Sequence, residues 1–317
     1  MFLLLTHVAF AADYGVPVDG FPSAVERGML LWTNAARVAP DAFIDEYTAG
    51  GCSTEEFSED ELTPKPPLYV DLDLTEVARV HSTDMLENDC FQHESCDGTD
   101  TWVRIGQYYT DANTGLGENI ASGYGGGRNT VLSGWMCSHS GHRANIMSGT
   151  FNEMGPGIDA DFMTQDFAGG ELNEGAPPVR MGVLEDGAYY ADWGDTAAPV
   201  GLSVVRDGRS TPMDLAWGTA ENGIYSATDV AEDDMRTEHS WYISWQNGSS
   251  SGSFPGAGSF LDDGSYSDAQ VNPPDIEAVR DGLKLVGCAV APSSASVMPA
   301  MAGLALLLKR RRRAISA

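Results

Sequence analysis

Five turn dipeptides, Asp186-Gly187, Asp207-Gly208, Asn222-Gly223, Asn247-Gly248 and Asp263-Gly264, punctuate the second half of the chain and separate short apolar or aromatic runs. Such pairs supply the positive φ that tight hairpins require, so this half reads as antiparallel strands. The candidates run from Val179 to Leu184, Ala188 to Trp193, Val200 to Val205, Pro212 to Trp217, Ile224 to Thr228, Ser240 to Trp245 and Ser253 to Phe260. Short strands at this spacing imply a small all-β sandwich of immunoglobulin-like type over residues 177–266.

Upstream of Gly169 to Pro178 the period is helical. Val25, Met29, Leu30, Trp32 and Ala36 share a helix face between Pro22 and Val38, with Pro40 as a stop. Val77, Ala78, His81 and Met85 repeat the pattern between Leu74 and Leu86, with Asp73 as N-cap. Two short helices are expected from Asn129 to Met136 and from His142 to Met147. The chain is therefore of α+β class, with residues 13–172 as a first domain and 177–266 as a second.

Charge narrows the partners. The chain carries 18 basic and 46 acidic residues, and five of the basic ones, Lys309 to Arg313, sit together near the C-terminus. A body this acidic repels phosphate and anionic lipid, which excludes nucleic acid and attachment to a membrane through the folded surface. Acidic runs such as Glu55-Glu56 with Glu59-Asp60-Glu61, or Glu232-Asp233-Asp234, read as solvated faces and match no EF-hand loop.

Both ends read as addresses. Met1 to Ala12 has a short apolar run and a small-residue site at Ala9-Phe10-Ala11, as in a secretory signal. It lacks a basic start and carries His7, so the true start is expected upstream; the alternative is a frayed terminus of a cytosolic protein. Residues 267–287 read as a polar stalk. An uncharged stretch from Cys288 to Leu308 then precedes the basic cluster, which holds that end on the cytoplasmic side of a membrane and leaves the body exported.

Cysteine usage agrees with export. Cys52, Cys90, Cys96 and Cys137 allow two disulfides in three pairings, and Cys288 stands apart. Spacing favours Cys90 with Cys96, leaving Cys52 with Cys137.

Chemistry is sought in the first domain. His93, Glu118 and His142 are the residue types of a zinc site with an open water position, though their spacing carries no signature. Histidines satisfied by hydrogen bonds are the competing reading. Ser138 and Ser140 near His142 lack the strained elbow of a serine hydrolase. His81 falls on a buried helix face and reads as packing.

The ordered series Asn34-Ala35-Ala36-Arg37, Ala78-Arg79-Val80-His81-Ser82, His93, Gly117-Glu118-Asn119-Ile120, Trp135-Met136 and Gly141-His142-Arg143-Ala144-Asn145-Ile146 resembles the CAP superfamily of SCP-like extracellular proteins, in its bacterial form. The resemblance covers roughly residues 22–170. It implies an α-β-α sandwich with a cleft, and a cluster of two His and two acidic residues that binds a divalent cation in some members. Carried over, the cluster is His93, Glu118 and His142. Its fourth position falls on Ser138, with His139 next to it as a substitute ligand, and Ser138 and Asn119 are expected to line the cleft. The C-terminal tail resembles MYXO-CTERM sorting signals, which implies cleavage near Cys288 by a sorting protease and attachment at the cell surface or outer membrane.

Two functions follow as expectations. One is a surface-displayed module whose cleft binds a small ligand, a cation such as zinc, or an envelope component. The other is a hydrolase of peptide or ester bonds that uses His93, Glu118 and His142.

Overall fold

In the first half, a four-stranded sheet carries helices on both faces because its strands bury side chains in both directions. The computed structural model describes residues 14–110, 115–138, 141–170, 176–230 and 236–270. Strands β1 (Tyr69–Val70), β2 (Leu116–Ser122), β3 (Glu153–Asp159) and β4 (Phe162–Ala168) take the order β1-β3-β4-β2, which leaves β2 at an edge. Along β4, Met163, Gln165 and Phe167 face helix α1 (Ala24–Val38), while Thr164, Asp166 and Ala168 face helix α3 (Leu72–Glu87). Helix α2 (Ile44–Ala49) lies on the α1 side, and helix α4 (Thr101–Tyr108) packs its Ile105 against α3.

The short helix α5 (Gly127–Asn129) runs into a π-helical segment, Thr130–Trp135, where a plain helix was expected. A helix of one turn, α6 (His142–Ile146), follows. The N-cap of α3 is Asp71, whose carboxylate accepts from the Leu74 N–H at 2.8 Å, so the helix starts earlier than Asp73 implied. Its fit against β3 depends on missing side chains. A Cβ on Gly155 would lie 2.0 Å from the Leu74 carbonyl carbon, and one on Gly157 2.2 Å from that of Ala78.

The second half is two antiparallel sheets. One orders β5 (Val179–Glu185), β6 (Ala188–Gly194), β10 (Asn222–Ala227) and β9 (Asp214–Gly218) as β5-β6-β10-β9. The other contains β7 (Gly201–Arg206), β8 (Arg209–Pro212), β11 (Ser240–Asn247), β12 (Ser250–Phe254), β13 (Ser259–Leu261) and β14 (Tyr266–Ser267). Trp193, Ala191 and Tyr189 of the first sheet share a core with Val204, Trp241, Ile243 and Phe254 of the second. Two expected strands each split. Met213 separates β8 from β9, and Pro255, which lacks a ladder donor, separates β12 from β13.

Helix α1 is buried almost all round, unlike the half-exposed helix its periodicity predicts. The β5-β6-β10-β9 sheet covers its other side, placing Met181, Val183 and Ile224 in one core with Leu30, Leu31 and Trp32. Its polar residues are consequently paired. Arg37 Nη1 donates to the carbonyls of Ile146 and Ser148 at 2.6 and 2.8 Å, and Nε to that of Pro66 at 2.9 Å. Asn34 Nδ2 donates to Asp192 at 2.5 Å, and Trp32 Nε1 to Glu185 at 2.9 Å.

Among the described residues no helix is long and apolar enough to cross a membrane. The expected signal segment, most of the stalk, Cys288 and the basic tail lie outside the described residues.

A Gly155→Ala substitution is expected to lower stability by roughly 1–3 kcal/mol or more, because the methyl group meets the α3 backbone and no rotamer relieves it. Thermal unfolding of the variant checks this; an unchanged melting temperature would contradict the close approach of α3 and β3.

Candidate functional site

Glu118 is the centre of the cleft and is almost wholly buried. As an inner residue of edge strand β2 it points toward α3 and α4, where three groups meet it. Arg104 of α4, itself buried, donates from Nη2 to Glu118 Oε2. His93 Nδ1 lies 2.8 Å from Oε1, and His81 Nε2 stands 4.0 Å from the same oxygen. The fourth neighbour is Asp166, directly opposite Glu118 in the β2–β4 register and 0% exposed. Neither Asp166 oxygen meets an N–H or O–H donor. Burial, followed by the Glu118 charge, pushes the Asp166 carboxyl well above the ordinary aspartate range.

A disulfide fixes the loop that brings His93. Cys90 and Cys96 are joined, as their spacing predicts, with Cα atoms 6.1 Å apart. Between them the Gln92 carbonyl meets His81 Nε2 at 3.0 Å, and the His93 carbonyl accepts from Arg104 Nη1 at 2.9 Å. Asp84 accepts from the Cys96 N–H at 2.7 Å. The loop is therefore pinned to both α3 and α4, while the His93 side chain stays 49% exposed. The hydrogen bond to Glu118 raises its pKa from the ordinary value, against the opposing effect of partial burial. Nε2 is the ring nitrogen left toward the groove.

His142 belongs to the same cleft on its far side. Burial, and then the charge of His93, lowers its pKa from the ordinary value. Its ring sits 6.5 Å from that of Trp135. Two grooves lie along these elements. One, of about 460 Å³, is lined by His93, Glu94, Asp100, Trp102, Glu118 and Asn145 among others. The other, of about 230 Å³, is lined by Phe91, Ile120, Tyr124, Trp135, Ser138 and His142 among others.

The site expected from the sequence is thus partly assembled and partly different. His93 and Glu118 touch, and Ser138 and His142 line one groove. Asn119 does not line the cleft: it is fully buried, donating to the His142 carbonyl at 3.2 Å and accepting from Asn145 Nδ2 at 2.9 Å, and so holds α6 onto β2. His139 lies outside the described residues. Cys52 and Cys137 are neighbouring thiols rather than a disulfide; burial, and then contact with Cys137, pushes the Cys52 thiol up to about 12.

Among the described residues no three His, Cys, Asp or Glu side chains group to hold a metal ion. The donor set explains this. Both Glu118 oxygens are engaged, one of them by a guanidinium whose charge opposes a cation, and Ser138 offers only a weak neutral ligand. The residues present do not fit a His₂Glu divalent centre.

Arg104 and Asp166 are the residues that sequence reasoning missed. Each left a signal. Asp166 is an acid at an inner position of a strand otherwise buried on both faces, and Arg104 lies one turn into a helix capped by Asp100, which accepts from the Trp102 N–H at 2.9 Å.

Residues 33–161 match the family model described as CAP, the cysteine-rich secretory protein family. The membrane protein YlbC of Bacillus subtilis is 36% identical over 92 residues, which are 29% of this chain and 26% of that protein; the chain thus spans about a quarter of that relative's length. An extracellular SCP-domain protein from Bacillus anthracis is 34% identical over 33% of this chain and 34% of its own, with a TM-score of 0.31. An outer surface protein from Borrelia burgdorferi is 20% identical over 46% of this chain and 94% of its own, also with a TM-score of 0.31.

The Glu118 contact predicts how His93 titrates. Its folded pKa lies above the ordinary value near 6.5, so the stabilisation it provides is complete below that value and is lost as pH rises through the folded pKa. Histidine NMR should place His93 above the reference in the native chain and back toward it in Glu118→Gln. A His93 pKa at or below the reference would contradict the pair.

Proposed function

We propose that the chain is an exported, surface-anchored module whose CAP region binds a ligand in the cleft at His93, Glu118 and His142 without chemically changing it. The two C-terminal sheets act in this reading as an immunoglobulin-like sandwich that buttresses α1 and spaces the cleft from the anchoring tail. Export is supported by the Cys90–Cys96 disulfide, which belongs to oxidising compartments, and by the secretory name of the matched family.

The observation that carries the binding reading is the state of Glu118. A general base must reach substrate with a free lone pair. Glu118 is buried, and its oxygens are taken by Arg104 and His93. Removing it would leave Arg104 buried without a counter-charge, a cost of about 3–5 kcal/mol for a broken buried pair. The carboxylate holds the cleft in shape.

A second reading rests on one specific observation. His93 is drawn toward its cationic form and His142 toward its neutral form, the separation that an acid–base pair requires. In that reading the cleft hydrolyses peptide or ester bonds.

Incubating the purified chain with peptide, ester and glycan substrates separates the two. The binding reading expects no product above the blank. Turnover that His142→Ala abolishes without altering the melting temperature would establish the hydrolase. Elemental analysis after dialysis without chelator accompanies it: metal well below one equivalent is expected, and stoichiometric zinc lost in His93→Ala would contradict the misfit of these residues to a divalent centre.

A further inference from the structure

The two grooves lie in succession along strand β2 and together offer one candidate path. Each is lined by the same three elements, taken at neighbouring positions. The 90–96 loop gives His93 and Glu94 to one and Phe91 to the other. Strand β2 gives Leu116 to Glu118 and then Ile120 to Ser122, and α6 gives Asn145 and then His142 to them. From Leu116 to Ser122 the strand runs about 20 Å at the usual rise per residue, the span of several pyranose rings.

Ring side chains stand exposed along this path. Trp102 is 50% exposed in the larger groove, while Phe91 is 55% and Tyr124 41% exposed in the smaller one. Between them lie groups that exchange hydrogen bonds with hydroxyls: the Glu94 carboxylate, the Asn145 amide oxygen, the Ser138 hydroxyl and the two imidazoles. An aromatic face covers the C–H face of a sugar ring while such groups read its rim.

We propose that this path binds an uncharged, linear polysaccharide, with Trp102 stacking on one side of His93 and Phe91 with Tyr124 on the other. The inference rests on the binding reading and names its ligand class. Charge selects against anionic glycans, since Glu94 and Asp100 line the larger groove on a chain of net charge −28. Geometry selects against an added peptide strand. Along the free edge of β2 the Glu118 carbonyl accepts from Asn145 Nδ2 at 3.1 Å and the Ile120 carbonyl from Trp135 Nε1 at 3.0 Å, so the acceptors that strand addition needs are taken.

Isothermal titration of the full chain with chitotetraose and cellotetraose, each against its disaccharide, tests this. A hyaluronate tetrasaccharide and an extended hexapeptide serve as comparators. One uncharged tetrasaccharide should bind at least about tenfold tighter than its disaccharide, and Trp102→Ala and Phe91→Ala should each weaken it by about tenfold. Both side chains are half exposed, so both variants keep the fold. Failure of both tetrasaccharides, or binding indifferent to both variants, overturns the proposal. Preference for the peptide, lost in Trp102→Ala, overturns the ligand class and leaves the binding reading standing. Cleavage of a bound tetrasaccharide does the reverse, keeping the class and ending the reading of a module without turnover.

Discussion

The cleft is organised around one buried carboxylate. An ionised group without partners is expensive in a protein interior, and Glu118 is tolerated because elements far apart in sequence converge on it. Arg104 brings α4, His93 brings the disulfide-closed loop, and Asp166 brings the neighbouring strand. Each partner is also a positional constraint. The Arg104 guanidinium that meets Glu118 with one nitrogen binds the His93 carbonyl with another, so the loop and the helix cannot move independently of the charge they surround.

The same logic sets the relation between the two halves. A helix that carries Glu26, Arg27, Asn34 and Arg37 along its sides would ordinarily turn those residues to water. Here they are buried and paired: Asn34 meets Asp192 of the β5-β6-β10-β9 sheet, Arg27 donates to the Pro22 and Gly264 carbonyls, Glu26 accepts from the Ser23 and Ile158 N–H groups, and Arg37 donates to the Ile146 and Ser148 carbonyls. Asp192 and Glu185 of that sheet accept from Asn34 and Trp32, which ties the second half to the helix underlying the cleft. The strand-rich half is thus part of the support of the site as well as a downstream unit.

How much of this was legible in the chain depends on the range of the interaction. Hairpins announced by Asp186-Gly187, Asp207-Gly208, Asn247-Gly248 and Asp263-Gly264, and the helices over α1 and α3, follow from local period and turn chemistry, and they stand close to where the sequence places them, whereas Asn222-Gly223 lies inside β10 rather than at a turn. The Cys90–Cys96 bridge is local as well. Long-range facts were not legible. Nothing near Asn119 says that it is turned away from the cleft, since that follows from the alternation of β2 once Glu118 faces α3 and α4. The Cys52 and Cys137 thiols meet as spacing by elimination suggests, yet elimination carries no information on their oxidation state. Arg104 and Asp166 become visible only when α4 and β4 are folded against β2.

The central claim is that Arg104 and His93 both meet the buried Glu118 carboxylate, and that burial beside its charge pushes the facing Asp166 carboxyl up. Carbon-13 NMR of carboxyl-labelled aspartate tests it most directly, with Asp166→Asn to assign the signal. The account predicts that the Asp166 carboxyl titrates well above the ordinary aspartate value of about 3.9. An Asp166 carboxyl that titrates at or below that value would contradict it, for burial against Glu118 would then leave no mark on the group.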